Sequence, residues 1–226
     1  METKTILIIE DEPFLSDAYK LVFKSISEEY SGYNFKLKLA HTFEEGKGIL
    51  LQHRDKDIFG TLTVLIDLRL KSIHHSYKKS GEELAREVRR LYFNAKIIII
   101  TSSTQKYRFY TIFKNVDPEG FLIKSEIDFE IVKKAIVNVL EGHSFFTKSI
   151  SDFLRKSASM ALPIDEFDRK LLYLLSQGLN IKELSNELNL SVSGIEWRQR
   201  KLSKLFNLEN VRINTLLQRA NELGLI

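Results

Sequence analysis

Four short apolar runs in the first 125 residues each end in a residue that phosphoryl chemistry uses. Thr5–Ile9 runs into Glu10, Asp11 and Glu12, and Leu62–Ile66 into Asp67. Lys96–Ile100 runs into Thr101 and Ser102, and Gly120–Ile123 into Lys124. An acid pair, a lone carboxylate, a hydroxyl and a lysine are the parts needed to hold a hard cation beside a nucleophilic carboxylate. The same parts would neutralise the oxygens of a group transferred to it. Clustered carboxylates repel one another unless a cation compensates them, so Glu10, Asp11 and Asp67 would be costly together without one. A lone Asp after a strand is commonly a helix cap, and a lone Thr a turn residue. The ordered set is what argues for chemistry.

The elements that must position these residues follow from the pattern. Runs of mostly β-branched apolar residues read as strands of a parallel sheet buried on both faces. In open parallel α/β sheets ligands bind beyond the carboxyl ends of the strands, where all of these residues lie. Phe35–Ala40 alternates and completes a five-strand set. Between the strands, Phe14–Ser27, Phe43–Gln52, Gly81–Leu91, Tyr107–Asn115 and roughly 126–141 carry apolar residues at helical spacing. Five βα units with right-handed crossovers make a doubly wound domain over residues 1–141. Residues 142–163 hold no sustained period and read as a linker, with a helical turn expected near Ile150–Lys156. From Ile164 onward the pattern is helical throughout: Asp165–Gln177, Ile181–Leu188, Val192–Phe206 and Val211–Leu223.

Composition bounds the function classes. The chain has 226 residues, 43% hydrophobic and 28% charged, which is ordinary for a globular protein. It has no cysteine, which excludes disulfides and thiolate sites. No apolar stretch approaches the roughly 20 residues that span a bilayer. The N-terminus lacks the form of a signal peptide, so a cytoplasmic location without membrane attachment is expected. Net charge is +4, and residues 142–226 carry 12 Lys/Arg against 9 Asp/Glu. Between Glu196 and Phe206 there are four basic residues and one acidic, the local footprint of phosphate contact.

With these motifs in order, residues 4–141 resemble the receiver domain of two-component response regulators, whose fold is flavodoxin-like with a five-stranded parallel sheet. The resemblance implies that Asp67 is the phosphoacceptor. It implies Mg²⁺ held by Glu10, Asp11, Asp67 and the backbone carbonyl of Arg69, with Thr101 and Lys124 on the phosphoryl oxygens. Phe121 stands where receivers carry a switch aromatic, and is expected to rotate inward as Thr101 moves toward the phosphoryl group. A phosphatase of the haloacid-dehalogenase type also uses an Asp after a strand. It needs a second Asp two residues on, where this chain has Arg69.

The departures are local. Lys71 and Ser125 stand where the family commonly has proline, and the segment from Asp67 to Gly81 is longer than usual. A cis bond before a non-proline costs about 3–4 kcal/mol, so a trans peptide is expected before Ser125. Adjacent residues such as His74 and His75 seldom chelate one ion, and a solvated loop is the reading for them.

Residues 162–226 resemble the LuxR-type helix-turn-helix output domain, a small all-α fold. The resemblance is carried by Leu171–Ser191, by Gly194 and Ile195, by Lys201–Phe206, and by the closing stretch from Ala220. Gly178 sits where the first helix should end, and Ser191 where the second should be capped. The helix Val192–Phe206 should then enter a major groove. Ile195, Leu202 and Leu205 are expected inside; Ser193, Glu196, Trp197 and Arg200 toward bases; Arg198, Lys201 and Lys204 on phosphates. Gly194, Glu196 and Arg198 stand where the family usually has Thr, Lys and His.

Together these readings imply a transcription regulator phosphorylated by a histidine kinase. It would bind double-stranded DNA as a homodimer, without enzymatic turnover beyond its own phosphoryl transfer and hydrolysis. The alternative is a phosphorylation-dependent protein-interaction module whose helix-turn-helix no longer binds DNA, as Gly194, Glu196 and Trp197 would allow.

Overall fold

The structure, a computed structural model, describes residues 3–52, 62–70, 80–158, 162–208 and 212–226. Lys71, His74, His75, Lys78 and Lys79 lie outside the described residues.

Contacts divide the chain into two compact units, Met1–Thr104 with Ile112–Ile150, and Gln105–Thr111 with Ser151–Ile226. The first holds one parallel sheet of β1 (Thr3–Ile9), β2 (Asn34–Ala40), β3 (Leu62–Asp67), β4 (Lys96–Thr101), β5 (Gly120–Ile123) and β6 (Phe145–Phe146). The strand order is β2-β1-β3-β4-β5-β6. The order in which strands are added switches sides between β1 and β3 while all strands stay parallel, so a crevice opens between their carboxyl ends. Glu10 and Asp11 follow β1 and Asp67 ends β3, which puts the acids on the two sides of that crevice.

Every residue of β3 is buried, as a strand covered on both faces requires. Helices α1 (Pro13–Glu29), α2 (Phe43–Gln52), α3 (Gly81–Leu91), α4 (Lys106–Asn115) and α5 (Phe129–Leu140) alternate with the strands. Tyr19, Val22, Phe23 and Ile26 of α1 join Val132, Ala135, Ile136 and Val139 of α5 in a core against Ile6, Ile8, Leu65, Ile98 and Ile100. Local chemistry sets the helix ends. Ser80 accepts from the Glu83 amide at α3, and Asp128 from the Ile131 amide at α5. At α3, Glu82 and Glu83 open the helix and Arg89 and Arg90 close it, opposing the macrodipole at both ends.

Two features extend the sequence reading. A short sixth strand joins the five expected, because Phe145–Phe146 pairs with the outer edge of β5. Phe145 donates its amide to the Glu119 carbonyl, Thr147 donates its amide to that of Phe121, and Ile123 donates its amide to the Thr147 hydroxyl. A strand edge otherwise exposes unpaired backbone groups, and these bonds satisfy them. The stretch read as a linker with one helical turn also forms a full helix, α6 (Lys148–Ala158), with Ile150 and Phe153 buried. Among the described residues there is no cis peptide, and the bond before Ser125 is trans as expected.

The second unit is helical. Helices α7 (Glu166–Ser176), α8 (Ile181–Leu188), α9 (Val192–Leu205) and α10 (Ile213–Glu222) surround Leu171, Leu172, Leu175, Leu184, Leu188, Ile195, Leu202, Phe206, Leu216 and Ala220. Asn189 takes the left-handed conformation between α8 and α9, which makes the sharp turn of the pair. Among the described residues no helix is long and apolar enough to cross a membrane.

Candidate functional site

The carboxyl edge of the sheet gathers the acids. Carboxylate oxygens of Glu10, Asp11 and Asp67 lie within 4.8 Å of one another. Glu10 is 1% exposed and Asp67 4%, so two of the three are out of bulk water. Lys124 bridges them: its Nζ is 2.7 Å from Asp67 Oδ2 and 2.9 Å from Glu10 Oε2. Asp67 Oδ1 accepts from the Arg69 amide at 2.9 Å, so both oxygens of this carboxylate are held. Glu10 also accepts from the Glu12 amide.

Parallel pairing supplies the rest. Asp67 is in register with Ile100, and Thr101 with Ile123, which puts Thr101 and Lys124 at neighbouring strand ends beside Asp67. Thr101 is fully buried and its Oγ1 accepts from the Ser103 amide at 3.1 Å.

The electrostatics follow from burial. Burial pushes the Glu10 carboxyl up; Lys124 opposes that shift, and the charge of Asp67 adds to it. For Lys124 burial works against the charge, but hydrogen bonds to Asp67 and Glu10 outweigh it and raise its affinity for the proton. Tyr19 of α1 is raised as well, first by burial and then by the charges of Glu10 and Asp67. Three carboxylates against one ammonium leave the cluster negative. An all-oxygen donor set of that charge suits a hard divalent cation.

Two residues of the site are not legible as such in the sequence. Gly81 packs so tightly that a Cβ would lie 1.9 Å from the Asp67 carbonyl oxygen, and its amide donates to the Leu68 carbonyl. Only glycine allows α3 to start this close to the chain that presents Asp67. Tyr19 falls within a helix read from spacing that assigns it to no face. Neither has a signal in spacing, because both depend on which backbone passes nearby.

Phe121 is 0% exposed, with its ring 5.6 Å from that of Phe113, which packs edge-on against Phe146. Phe121 thus lies inside, in a row with Phe113 and Phe146 that continues into β6.

In the second unit, α9 begins at Ser191, whose Oγ accepts from the Gly194 amide at 3.1 Å. Ile195 and Leu202 are buried, and Leu205 is half-buried against the same core. Ser193, Glu196, Trp197, Arg200 and Lys204 are exposed. Trp197, at 58% exposure, is open to solvent rather than packed on a neighbouring helix.

Arg198 and Lys201 are placed differently. Arg198 Nη1 lies 2.6 Å from Asp168 Oδ1 and 2.8 Å from Asp165 Oδ2, and Lys201 Nζ lies 2.5 Å from Asp168 Oδ2. Asp165 and Asp168 form the capping box of α7, each side chain accepting from the other's amide. The spacing Asp165-x-x-Asp168 before an apolar run is a legible cap signal. Its second use, toward α9, is not.

Comparisons with known proteins address both units. Residues 164–205 match the family model described as winged helix-turn-helix DNA-binding. The nitrate/nitrite response regulator protein NarP of Escherichia coli (strain K12) is 27% identical over 160 residues, covering 68% of this chain and 71% of NarP. Among solved structures, RcsB from Salmonella enterica serovar Typhimurium, bound to a promoter in the presence of the phosphomimetic BeF3-, aligns with a TM-score of 0.59. That match has 19% identity and covers 96% of this chain and 98% of that one. A second RcsB structure from Salmonella typhimurium aligns over 100% of both chains at 20% identity and a TM-score of 0.53. At such identities the likeness of the structures is one of fold.

Proposed function

We propose that this chain, which has the receiver and helix-turn-helix architecture of a response regulator, accepts a phosphoryl group on Asp67 and regulates transcription by binding DNA. The observation that carries the first half is Lys124 bridging Asp67 and Glu10 beside Asp11. We assign the receiver to residues 1–141 and the output domain to 164–226, with 142–163 between them.

The donor is a phosphohistidine of a partner kinase. The Asp67 carboxylate attacks phosphorus, a P–O bond forms, the P–N bond breaks, and the imidazole leaves and takes a proton. Arg69 N–H holds Asp67 Oδ1 and so fixes the direction of attack. Lys124 follows the negative charge from the carboxylate to a phosphoryl oxygen, and Thr101 donates to another. Glu10, Asp11, Asp67 and the Arg69 carbonyl would hold Mg²⁺, which would supply the positive charge that lets carboxylate and phosphoryl group approach. The protein turns over no substrate beyond this transfer and the hydrolysis of its own phosphoaspartate.

DNA reading falls to α9, which presents Trp197, Arg200 and Lys204 to solvent, with Ser193 and Glu196 at its start. A homodimer on two half-sites is the arrangement such readers use. It is supported by a solved relative described as two RcsB dimers on two parallel DNAs. A second reading, a protein-interaction module without DNA, draws on the exposed Trp197 beside the acidic Glu196.

Selection of genomic fragments by purified protein, with and without acetyl phosphate and Mg²⁺, tests both halves. A two-fold-symmetric site enriched only with donor is expected, with enrichment lost in Asp67→Asn. Enrichment indifferent to donor would remove the phosphorylation switch. No enrichment in either condition would favour the interaction module.

A further inference from the structure

Helix α9 carries Arg198, Arg200, Lys201 and Lys204 within two turns, and sequence alone treats them as one basic stripe. The structure splits them. Arg198 and Lys201 have side chains only 16% and 27% exposed, and both reach the fully buried carboxylate of Asp168. Asp165 closes the group from the rim, accepting from Arg198 at 2.8 and 2.9 Å. The Arg198 guanidinium also lies 5.1 Å over the Phe167 ring, which fixes its plane. Arg200 and Lys204 are exposed, and no side-chain hydrogen bond or ion pair to either is found among the described residues.

Two cations and two carboxylates make a neutral, closed network between α7 and α9. A phosphate that drew Arg198 or Lys201 away would take from the fully buried Asp168 one of its two ion-pair partners. A counterion gained at the water-exposed phosphate would not offset that loss.

We propose that Asp165 and Asp168 are positioning residues that clamp α9 through Arg198 and Lys201, withdrawing both cations from phosphate neutralisation. Interaction of this helix with the DNA backbone is then left to Arg200 and Lys204. The proposal rests on the DNA-binding reading of α9. It changes that reading: the stripe counts as two charges toward DNA, and Arg198 and Lys201 act on it only through the orientation of the helix.

The test is the salt dependence of binding by the full chain to a mixed-sequence B-form duplex. Removing one cation that neutralises a phosphate lowers the slope of log K against log salt by about 0.9. Arg200→Gln and Lys204→Gln should each reduce it by about that much per bound protomer. Arg198→Gln and Lys201→Gln should keep the wild-type slope while lowering affinity by a common factor at every salt concentration. Asp168→Asn should steepen the slope, as freed cations turn to phosphate, and Asp168→Glu should restore both slope and affinity. A merely structural role for Asp168 would lower affinity without steepening the slope.

Equal slope reductions at all four cations would overturn the clamp and leave DNA binding intact. So would a wild-type slope in Asp168→Asn. If Asp168→Asn does not fold, the four single cation variants decide by themselves. A wild-type chain without salt-dependent DNA affinity would instead overturn the DNA reading, and the clamp with it.

Discussion

Replacing Gly81 with alanine probes how Asp67, the proposed phosphoacceptor, is held. The added Cβ would lie 1.9 Å from the Asp67 carbonyl oxygen, 2.8 Å from its carbonyl carbon and 2.8 Å from Leu68 Cα. All three are backbone atoms, so no side chain can rotate out of the way. Relief requires α3 or the end of β3 to shift by roughly 1 Å or more, and overpacking of that kind costs about 1–3 kcal/mol. We place Gly81→Ala at the upper end, about 3 kcal/mol, roughly a hundredfold in the unfolding equilibrium. The same shift displaces the Asp67 carboxylate from Arg69 N–H and Lys124, and a misplacement near 1 Å can cost about 10²-fold in rate.

The assay pairs chemical denaturation with the rate of phosphoprotein formation from acetyl phosphate. Gly48 is the internal control. It also lies in a helix, a Cβ there meets nothing within 4 Å, and Gly48→Ala should stabilise by up to about 1 kcal/mol with an unchanged phosphorylation rate. Opposite signs from one substitution type at two sites would separate backbone crowding from helix propensity. A Gly81→Ala protein with wild-type stability and wild-type phosphorylation rate would refute the reasoning.

Lys124→Met leaves Glu10 and Asp67 buried without their cation and should destabilise by about 3–5 kcal/mol near neutral pH. Because burial raises the Glu10 carboxyl, that variant should regain stability as pH falls and Glu10 takes up a proton; a flat profile in pH-stepped denaturation would contradict this. For Asp165 the sign is reversed. Burial would raise it, but hydrogen bonding to Arg198 and to the Asp168 amide outweighs that and lowers it. Its contribution is thus present above the ordinary carboxylate range near about 4 and is lost as pH falls through the depressed value. Arg198→Gln should flatten this acid limb, and denaturation midpoints between neutral and acid pH would show whether it does. Thr147→Val removes the acceptor for the buried Ile123 amide, a loss of about 1–3 kcal/mol, and hydrogen exchange at Ile123 should quicken. Exchange at the wild-type rate would mean that β6 does not hold the edge of β5.

Much of this protein is decided locally, and those parts can be read without coordinates. A parallel strand is buried on both faces, so Leu62–Asp67 and Lys96–Thr101 show as unbroken apolar runs. Open sheets work at their carboxyl ends, so the residue that ends each run names a site member before any distance is known. Glu10, Asp11, Asp67, Thr101 and Lys124 are all legible in this way. Ser191 is legible as a cap, because a cap bonds only two or three residues away.

Other features exist only through approach across long stretches of chain. A two-residue strand has no period, so Phe145–Phe146 cannot announce that it will close β5, nor that Phe121 will already lie inside. Gly81 is a glycine like any other until α3 is laid against Asp67. Arg198 and Lys201 are charges on a helix until folding brings them to Asp168, thirty and thirty-three residues away in sequence. Residue type and local spacing determine which elements form and what chemistry they carry. Which charge meets which counter-charge is settled only when helices pack, because Coulomb attraction and desolvation depend on distance and burial, and neither is written along the chain.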